Sequence, residues 1–486
     1  YVPNTVVAIG SYAFDRLAGL KTIDFERADE VNNKTIAIER EAFYELYALK
    51  VLTLPDRLKM MVNNFSRRLT ALETVNIPAS VESIGTYVFY PYGFTAVGGA
   101  RAIGPYMSNL TTVNIEDVDH PIYEGETQGK PAGLKTIAMS AFQNNRSLKY
   151  INLPDSLTKI NRLAFHSTAI EHLSIPKGLN FVGGNGEFSN MPHLTSVEFK
   201  GYNATLITSQ MFANNKKLKS IILPPSVATI ESNAFFKCTS LESVTIDVYP
   251  DDYEVEAKRG KSDLHTIKQN AFADCDHLKI VGLKQYAMGE NPKNVLPDGF
   301  TTIGNRGFYR LFGIKSMVLP ATIRDIGIEA FFSSGLTDIE FKTYADGENA
   351  GKSELKTIGK NAFTNTYIEE FVFPETTGDL AIGIDIFKNC TNLNKVTYSK
   401  SVKVAPVDLI KGARNVTEIV FPEGSTDYVQ DGSVIYNAAG DKVIYAIKQL
   451  ATTELVIPAN VTSIGNYAYK SQGDITKVYI PDRVQT

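Results

Sequence analysis

Three cysteines, six histidines and a run of five carboxylates are the residues of this 486-residue chain whose types could do chemistry. Cys238, Cys275 and Cys390 occupy one slot in three aligned stretches, NAFFKCTSLESVTI, NAFADCDHLKIVGL and DIFKNCTNLNKVTY. A repeated thiol raises redox and metal chemistry as possibilities. In other copies of the stretch, however, the slot holds Asn145, Asn215, Thr168, Ser334, Thr366, Leu17, Leu46 or Met191. A nucleophile or ligand is not exchanged with leucine, whereas a small residue packed inside is, and free cysteine packs as a small hydrophobe. Three free thiols are expected. Cys238 and Cys275 fall on consecutive copies, where a disulfide would require adjustment of the backbone.

The histidines, His120, His166, His172, His193, His265 and His277, show no His-Glu-x-x-His or Cys-x-x-Cys spacing. Glu116, Asp117, Asp119, Glu124 and Glu126 could collect calcium but lack the ligand order of an EF-hand loop. Neither a nucleophile elbow nor a phosphate-binding glycine loop is present. The expectation is a protein that is not an enzyme, with no catalytic residue, cofactor or metal. A net charge of −4 with scattered Lys and Arg gives no reason to expect nucleic acid. No apolar run reaches the ~20 residues of a membrane span.

The elements that position these residues recur. Phe142, Phe165, Phe188, Phe212 and Phe235 are spaced by 23, 23, 24 and 23 residues. An apolar-Pro pair marks the same register at Leu54-Pro55, Ile77-Pro78, Leu153-Pro154, Ile175-Pro176 and onward to Ile480-Pro481. One unit reads L-x-x-I-x-I-P-x-S-V-x-x-I-G-x-x-A-F, as in LKYINLPDSLTKINRLAFHSTA. The I-x-I alternation predicts a strand with one buried face. Proline ends it, having no N–H to continue a ladder. Gly85, Gly304, Gly327, Gly359 and Gly465 are read as bends needing permissive backbone angles. The Ala-Phe pair then packs a ring inside and leads through a short turn to the next strand.

A unit of about 23 residues cannot bury its own apolar face, and stacking neighbours solves that problem. Seventeen strand segments are legible, from the one ending near Phe25 to the one ending near Ile480. The predicted fold is a repeat solenoid, mainly β: a right-handed superhelix with one parallel β-sheet along one face and short or helical turns opposite. Residues 1–486 are expected to form a single solenoid domain. Both ends fall inside the repeat, at YVPNTVVAIGSYAF and VYIPDRVQT, and the chain is expected to be cut mid-repeat at each.

The phrases IPASVESIG, LPPSVATIESNAFFKCTSLESVTI and IPANVTSIGNYAY resemble the BspA-like class of bacterial leucine-rich repeats over essentially the whole chain. DGSVIYNAAGDKVIYAIKQLATTELVIP resembles that family's hairpin element between turns, placing a non-repeat hairpin near 425–450. The resemblance implies a secreted or surface-anchored protein of host-associated bacteria that binds proteins, cells or matrix, with its signal or anchor outside this chain.

Several units replace the Pro-x-Ser-Val segment with polar insertions at 116–133, 247–263, 284–300 and 342–354, and more briefly at 26–34. All follow the strand and should emerge along one edge, where repeat scaffolds carry variable binding function. The segment Lys284–Asn291 matches Lys342–Asn349 at six of eight positions, and Asp346-Gly347 is a hairpin signal. One reading is a row of protruding hairpins presenting Tyr123, Tyr253, Tyr286 and Tyr344 to a partner; the other is that these arms only cover the sheet edge. A second candidate surface is the outward strand face, including Asn114, Asn152 and Thr245. The partner expected is a protein or extracellular-matrix ligand, with a glycan as a further candidate. A structural spacer or surface-layer solenoid is the competing function. The sequence carries no signal for an oligomeric state.

Overall fold

In the computed structural model of the chain, residues 1–485 are described apart from 92–108, 124, 182, 288–290, 411, 414, 448–449 and 471. They form two compact units, Tyr1–Asp263 and Leu264–Thr486. In each, the repeat produces short parallel strands with almost no helix.

In the first unit the I-x-I segments stack as Val51–Thr53, Thr74–Ile77, Thr112–Ile115 and Tyr150–Ile151. Register is set residue for residue, Val75 on Val113 and Ile77 on Ile115. Alternation decides which side chains go inside: Val75 and Ile77 are fully buried, while Asn76 between them is partly exposed. Further pairs follow, His172–Ile175 with Ser196–Phe199 and Ser220–Leu223 with Ser243–Ile246. In the second unit Ser316–Leu319 pairs with Asp338–Phe341, and Glu370–Val372, Lys395–Thr397 and Glu418–Val420 form another run.

The structure adds a second parallel ladder to the predicted one. It is built from two-residue strands, Met60–Met61, Ser83–Ile84, Thr136–Ile137 and Lys159–Ile160 in the first unit, at the position that a glycine follows in several repeats, as at Ile84-Gly85. In the second, Ile303, Ile326, Ile358 and Ile382 lie in register down it. Two residues are too few to show a period, which is why this ladder was not legible.

The glycines after these strands have a role other than the one expected. None of Gly85, Gly304, Gly327, Gly359 and Gly465 has a positive φ. A Cβ at Gly85 would lie 2.6 Å from the carbonyl oxygen of Met61, and one at Gly359 would lie 2.5 Å from backbone atoms of Gly327 and Ile328. The backbones of successive turns approach too closely for a side chain.

Left-handed backbone occurs instead on either side of the Ala-Phe pair. Ser140 and Asn144 (φ 55° and 65°) bracket Ala141-Phe142, and Asn233 and Lys237 (59° each) bracket Ala234-Phe235. Only asparagine signals this conformation in sequence, and Leu163, Arg306 and Glu329 adopt it too. These bends aim each phenylalanine inward. Phe142 and Phe165 stack 5.3 Å apart, Phe165 and Phe188 5.6 Å, and Phe308 and Phe331 5.1 Å, all fully buried. Each buried ring stabilises the fold by about 2 kcal/mol.

The expected hairpin is present. Tyr428–Asp431, Val434–Asn437 and Lys442–Ala446 form an antiparallel meander, and its last strand joins Ser463–Ile464 in parallel. Asn437 Oδ1 accepts from the N–H groups of Asp441 and Lys442 and closes the loop.

Candidate functional site

The insertion at 116–133 leaves the Thr112–Ile115 strand and folds back onto the ladder. Glu116 is buried, and its carboxylate accepts from the N–H of Ala79 at 2.9 Å and of Lys130 at 3.2 Å, pinning both ends of the loop. Asp117 Oδ1 accepts from the N–H groups of Asp119 and His120 and pairs with His120 Nδ1 at 2.7 Å. Arg27, 99 residues before Glu126, donates to that carboxylate at 2.7 Å. Its guanidinium lies 4.1 Å over the Tyr123 ring and 3.6 Å from Asp56. Glu116, Asp117 and Glu126 are thus divided among separate structural contacts, Asp119 contributes its N–H to one of them, and Glu124 lies outside the described residues.

The insertion walls a cleft on each flank. One, of 420 Å³, is lined by Arg27, Asp56, Ile122, Tyr123 and the exposed face at Val51 and Thr53. The other, of 690 Å³, is an open groove between Asp117–His120 and Pro131 on the insertion and Tyr150, Asn152, His172, Ser174 and Lys200 on the strand face. Burial pushes the Tyr123 phenol up, and its hydroxyl has no hydrogen-bond partner. Tyr123→Phe is therefore expected to be neutral or stabilising by up to about 1 kcal/mol. Arg27→Ala, which removes the ring contact and both ion pairs, should accelerate proteolysis within 116–133 at unchanged melting temperature of the remainder.

The predicted tyrosines are not presented on free arms. Tyr123 is half-buried under Arg27. Tyr253 packs 4.3 Å from Tyr249, and both meet Tyr202 at 5.8 Å. Tyr249 is itself buried, donates to Asp263 at 2.7 Å and has its hydroxyl pushed up to about 12 by burial. Tyr344 donates to Glu354 at 2.5 Å, and Arg324 holds that carboxylate from the other side. Tyr286 alone of the four is exposed. The hairpin expected at Asp346-Gly347 is a compact loop closed by bonds from Gly351 N–H and to Lys352 carbonyl at Tyr344. Its arms have no apolar alternation to hold a ladder.

The matching stretch begins differently, as the one-turn helix Lys284–Ala287. Beyond it, Asn294-Val295 joins the ladder of Ser316–Leu319. Val295 bridges Val318, and Asn294 bonds Val281 N–H and the carbonyls of Lys279 and Ser316. This insertion extends the sheet rather than leaving it.

Of the strand-face positions, Asn114 donates to Asn76 at 2.8 Å, and Asn76 donates to Thr53 at 2.9 Å. Asn152 acts as a substitute backbone, bonding both the N–H and the carbonyl of Ile115. Thr245 lies in register with the exposed Ile222. The structure thus brings Asn152 into the groove with Tyr150 and His172, neither of which the sequence marked as a binding residue. Their alternation with Ile151 and Leu173 was the available signal.

The sequence profile of the BspA type leucine-rich repeat region matches in six copies, at 1–97, 135–250, 186–294, 251–350, 356–437 and 442–486. The chain belongs to the BspA-type leucine-rich repeat family. Solved structures similar to it include a leucine-rich repeat protein from Bacteroides ovatus at 17% identity, covering 90% of this chain and 82% of that one, with a TM-score of 0.40. A leucine-rich cell surface protein from Faecalibacterium prausnitzii is 22% identical, covering 78% and 89%, with a TM-score of 0.40. The pneumococcal vaccine antigen PcpA is 15% identical, covering 90% and 89%, with a TM-score of 0.41. No curated protein matches. Proteins of the BspA type are typically secreted or surface-displayed, and no helix among the described residues is long and apolar enough to cross a membrane.

In this BspA-type chain six positions of the cysteine slot hold a buried side-chain donor. Cys238 Sγ donates to Phe212 carbonyl and Cys390 Sγ to Phe363 carbonyl, each at 3.0 Å. Asn215 donates to Phe188 carbonyl at 2.9 Å and Asn145 to that of Phe89 at 2.8 Å. Thr168 and Thr366 bond the carbonyl three residues before them. The slot satisfies the carbonyl of a repeat phenylalanine, which explains the exchange among Cys, Asn and Thr. All three cysteines are free and buried, and burial raises the Cys390 thiol. A thiol reagent should find no reactive group in the native protein and three after denaturation. Cys238→Ser, keeping a donor, should cost less than Cys238→Ala, which leaves the Phe212 carbonyl with only the Asn215 N–H and forfeits a bond of about 1 kcal/mol.

Proposed function

We propose that the chain is a non-enzymatic binding scaffold, secreted or displayed on a bacterial surface, that recognises a host protein, matrix or another cell through its strand face and edge insertions. The observation that carries this is the 690 Å³ groove, in which an insertion anchored at Glu116 overhangs the polar outer face of the ladder. Mixed polar and aromatic clefts on a rigid scaffold suit recognition, because the groups are held in place before the partner arrives. As part of the same proposal residues 1–486 act as a single repeat domain, supported by the recurrence of the unit throughout.

The test is binding of the whole chain to immobilised serum and matrix proteins, compared with a variant in which 116–133 is replaced by the short Pro-x-Ser-Val segment of other turns. Loss of binding with an unchanged circular dichroism spectrum is expected. Undiminished binding by the variant would remove this groove from the reading, and no binding by either protein would favour the spacer function.

A further inference from the structure

We propose that the groove beside the 116–133 insertion is a subsite for a short, uncharged oligosaccharide carried by the partner. This rests on the reading of the chain as a surface binding scaffold and names the ligand chemistry of its groove.

The floor and walls select among ligand classes. Tyr150 is 45% exposed, presenting its ring in a groove whose lining mixes apolar residues such as Val118, Pro131 and Ile151 with the hydrogen-bonding Asn152, His172 and Lys200. Sugar rings have that same mixture, one face of C–H groups and a rim of hydroxyls, so an exposed aromatic ring beside apolar and hydrogen-bonding side chains meets both. His172 bonds Ser196 through Nδ1 at 2.7 Å, leaving Nε2 as its other ring nitrogen.

Other classes fit less well. Three aspartates (117, 119 and 155) against two lysines (149 and 200) line the groove, which leaves no cluster of cations to hold a polyanionic chain. An extended peptide joins a sheet through free backbone groups. Here Lys149 and Tyr150 already donate to Thr111, and the backbone of Ile115 is occupied by the Asn152 amide. A volume of 690 Å³ accommodates a ligand of a few rings, and the open sides let a longer glycan pass through.

The experiment applies the whole chain to a printed array of neutral oligosaccharides and measures hits by calorimetry. In parallel, binding to serum and matrix glycoproteins is measured before and after enzymatic removal of their glycans. The expected results are affinity for at least one neutral glycan, loss of glycoprotein binding on deglycosylation, and a fall of at least about tenfold for Tyr150→Ala. Tyr150→Phe, which keeps the ring, should retain affinity, and both variants should melt like the parent because the ring is half exposed. Glycoprotein binding that survives deglycosylation would overturn the carbohydrate subsite while leaving the scaffold reading intact. A glycan bound equally by Tyr150→Ala would place the sugar elsewhere and also overturn the proposal. No binding to any glycan or glycoprotein would overturn both.

Discussion

Glu187→Gln is expected to stabilise the first unit by about 3 kcal/mol at pH 8 and to leave it nearly unchanged at pH 4. Glu187 stands where other turns carry the buried alanine of the Ala-Phe pair, as in Ala164-Phe165 and Ala234-Phe235. Its side chain is fully buried. Oε2 accepts from the Thr208 hydroxyl at 2.7 Å, and Oε1 has no partner. Room is made by Gly184, where a Cβ would sit 1.4 Å from Oε1.

Burial raises this carboxyl from its ordinary 4.5 to about 7. The folded chain therefore holds the proton more tightly than the unfolded chain. Its contribution is fully present below pH 4.5, declines as the unfolded carboxyl ionises, and levels off above about pH 7. His166, whose imidazole burial pushes down, acts in the opposite direction as pH falls. The difference between parent and Glu187→Gln isolates the carboxyl from it. Chemical denaturation of both proteins from pH 4 to 8 measures this, and parallel stability curves would refute it.

Gly359→Ala should cost about 3 kcal/mol, enough to shift the melting temperature of the second unit by several degrees. The methyl has backbone on its only free side, with Gly327 and Ile328 at 2.5 Å, and Gly383 of the following turn presses on Gly359 in the same way. A flexible side chain can move aside, but a ladder of backbone cannot. Gly378→Ala is the control, since nothing lies within 4 Å of its added carbon and its φ is not left-handed. Equal melting temperatures for the two variants would show that the turns can spread.

The repeat was legible because each unit solves the same packing problem with the same residue types. The I-x-I alternation, the proline stop and the Phe spacing all reported burial, and burial is what sequence periodicity encodes. The glycine was visible while its reason was not, since close approach between turns is a distance between residues some 23 apart. The cysteine slot was read as small because leucine also appears there. Its hydrogen bond to a phenylalanine carbonyl is a relation between positions, and only packed turns display it.

The insertions mark the boundary most clearly. By itself the sequence determined the solenoid class, the family, the hairpin near 425–450 and the points where polar segments interrupt the repeat. The tertiary structure alone decided where those segments go. Arg27 and Tyr123 meet across nearly one hundred residues, Asn294-Val295 joins the ladder, and Tyr344 bonds Glu354. Polar loops without a period choose their conformation from the partners the folded scaffold offers. The groove beside 116–133 exists only once those partners are in place.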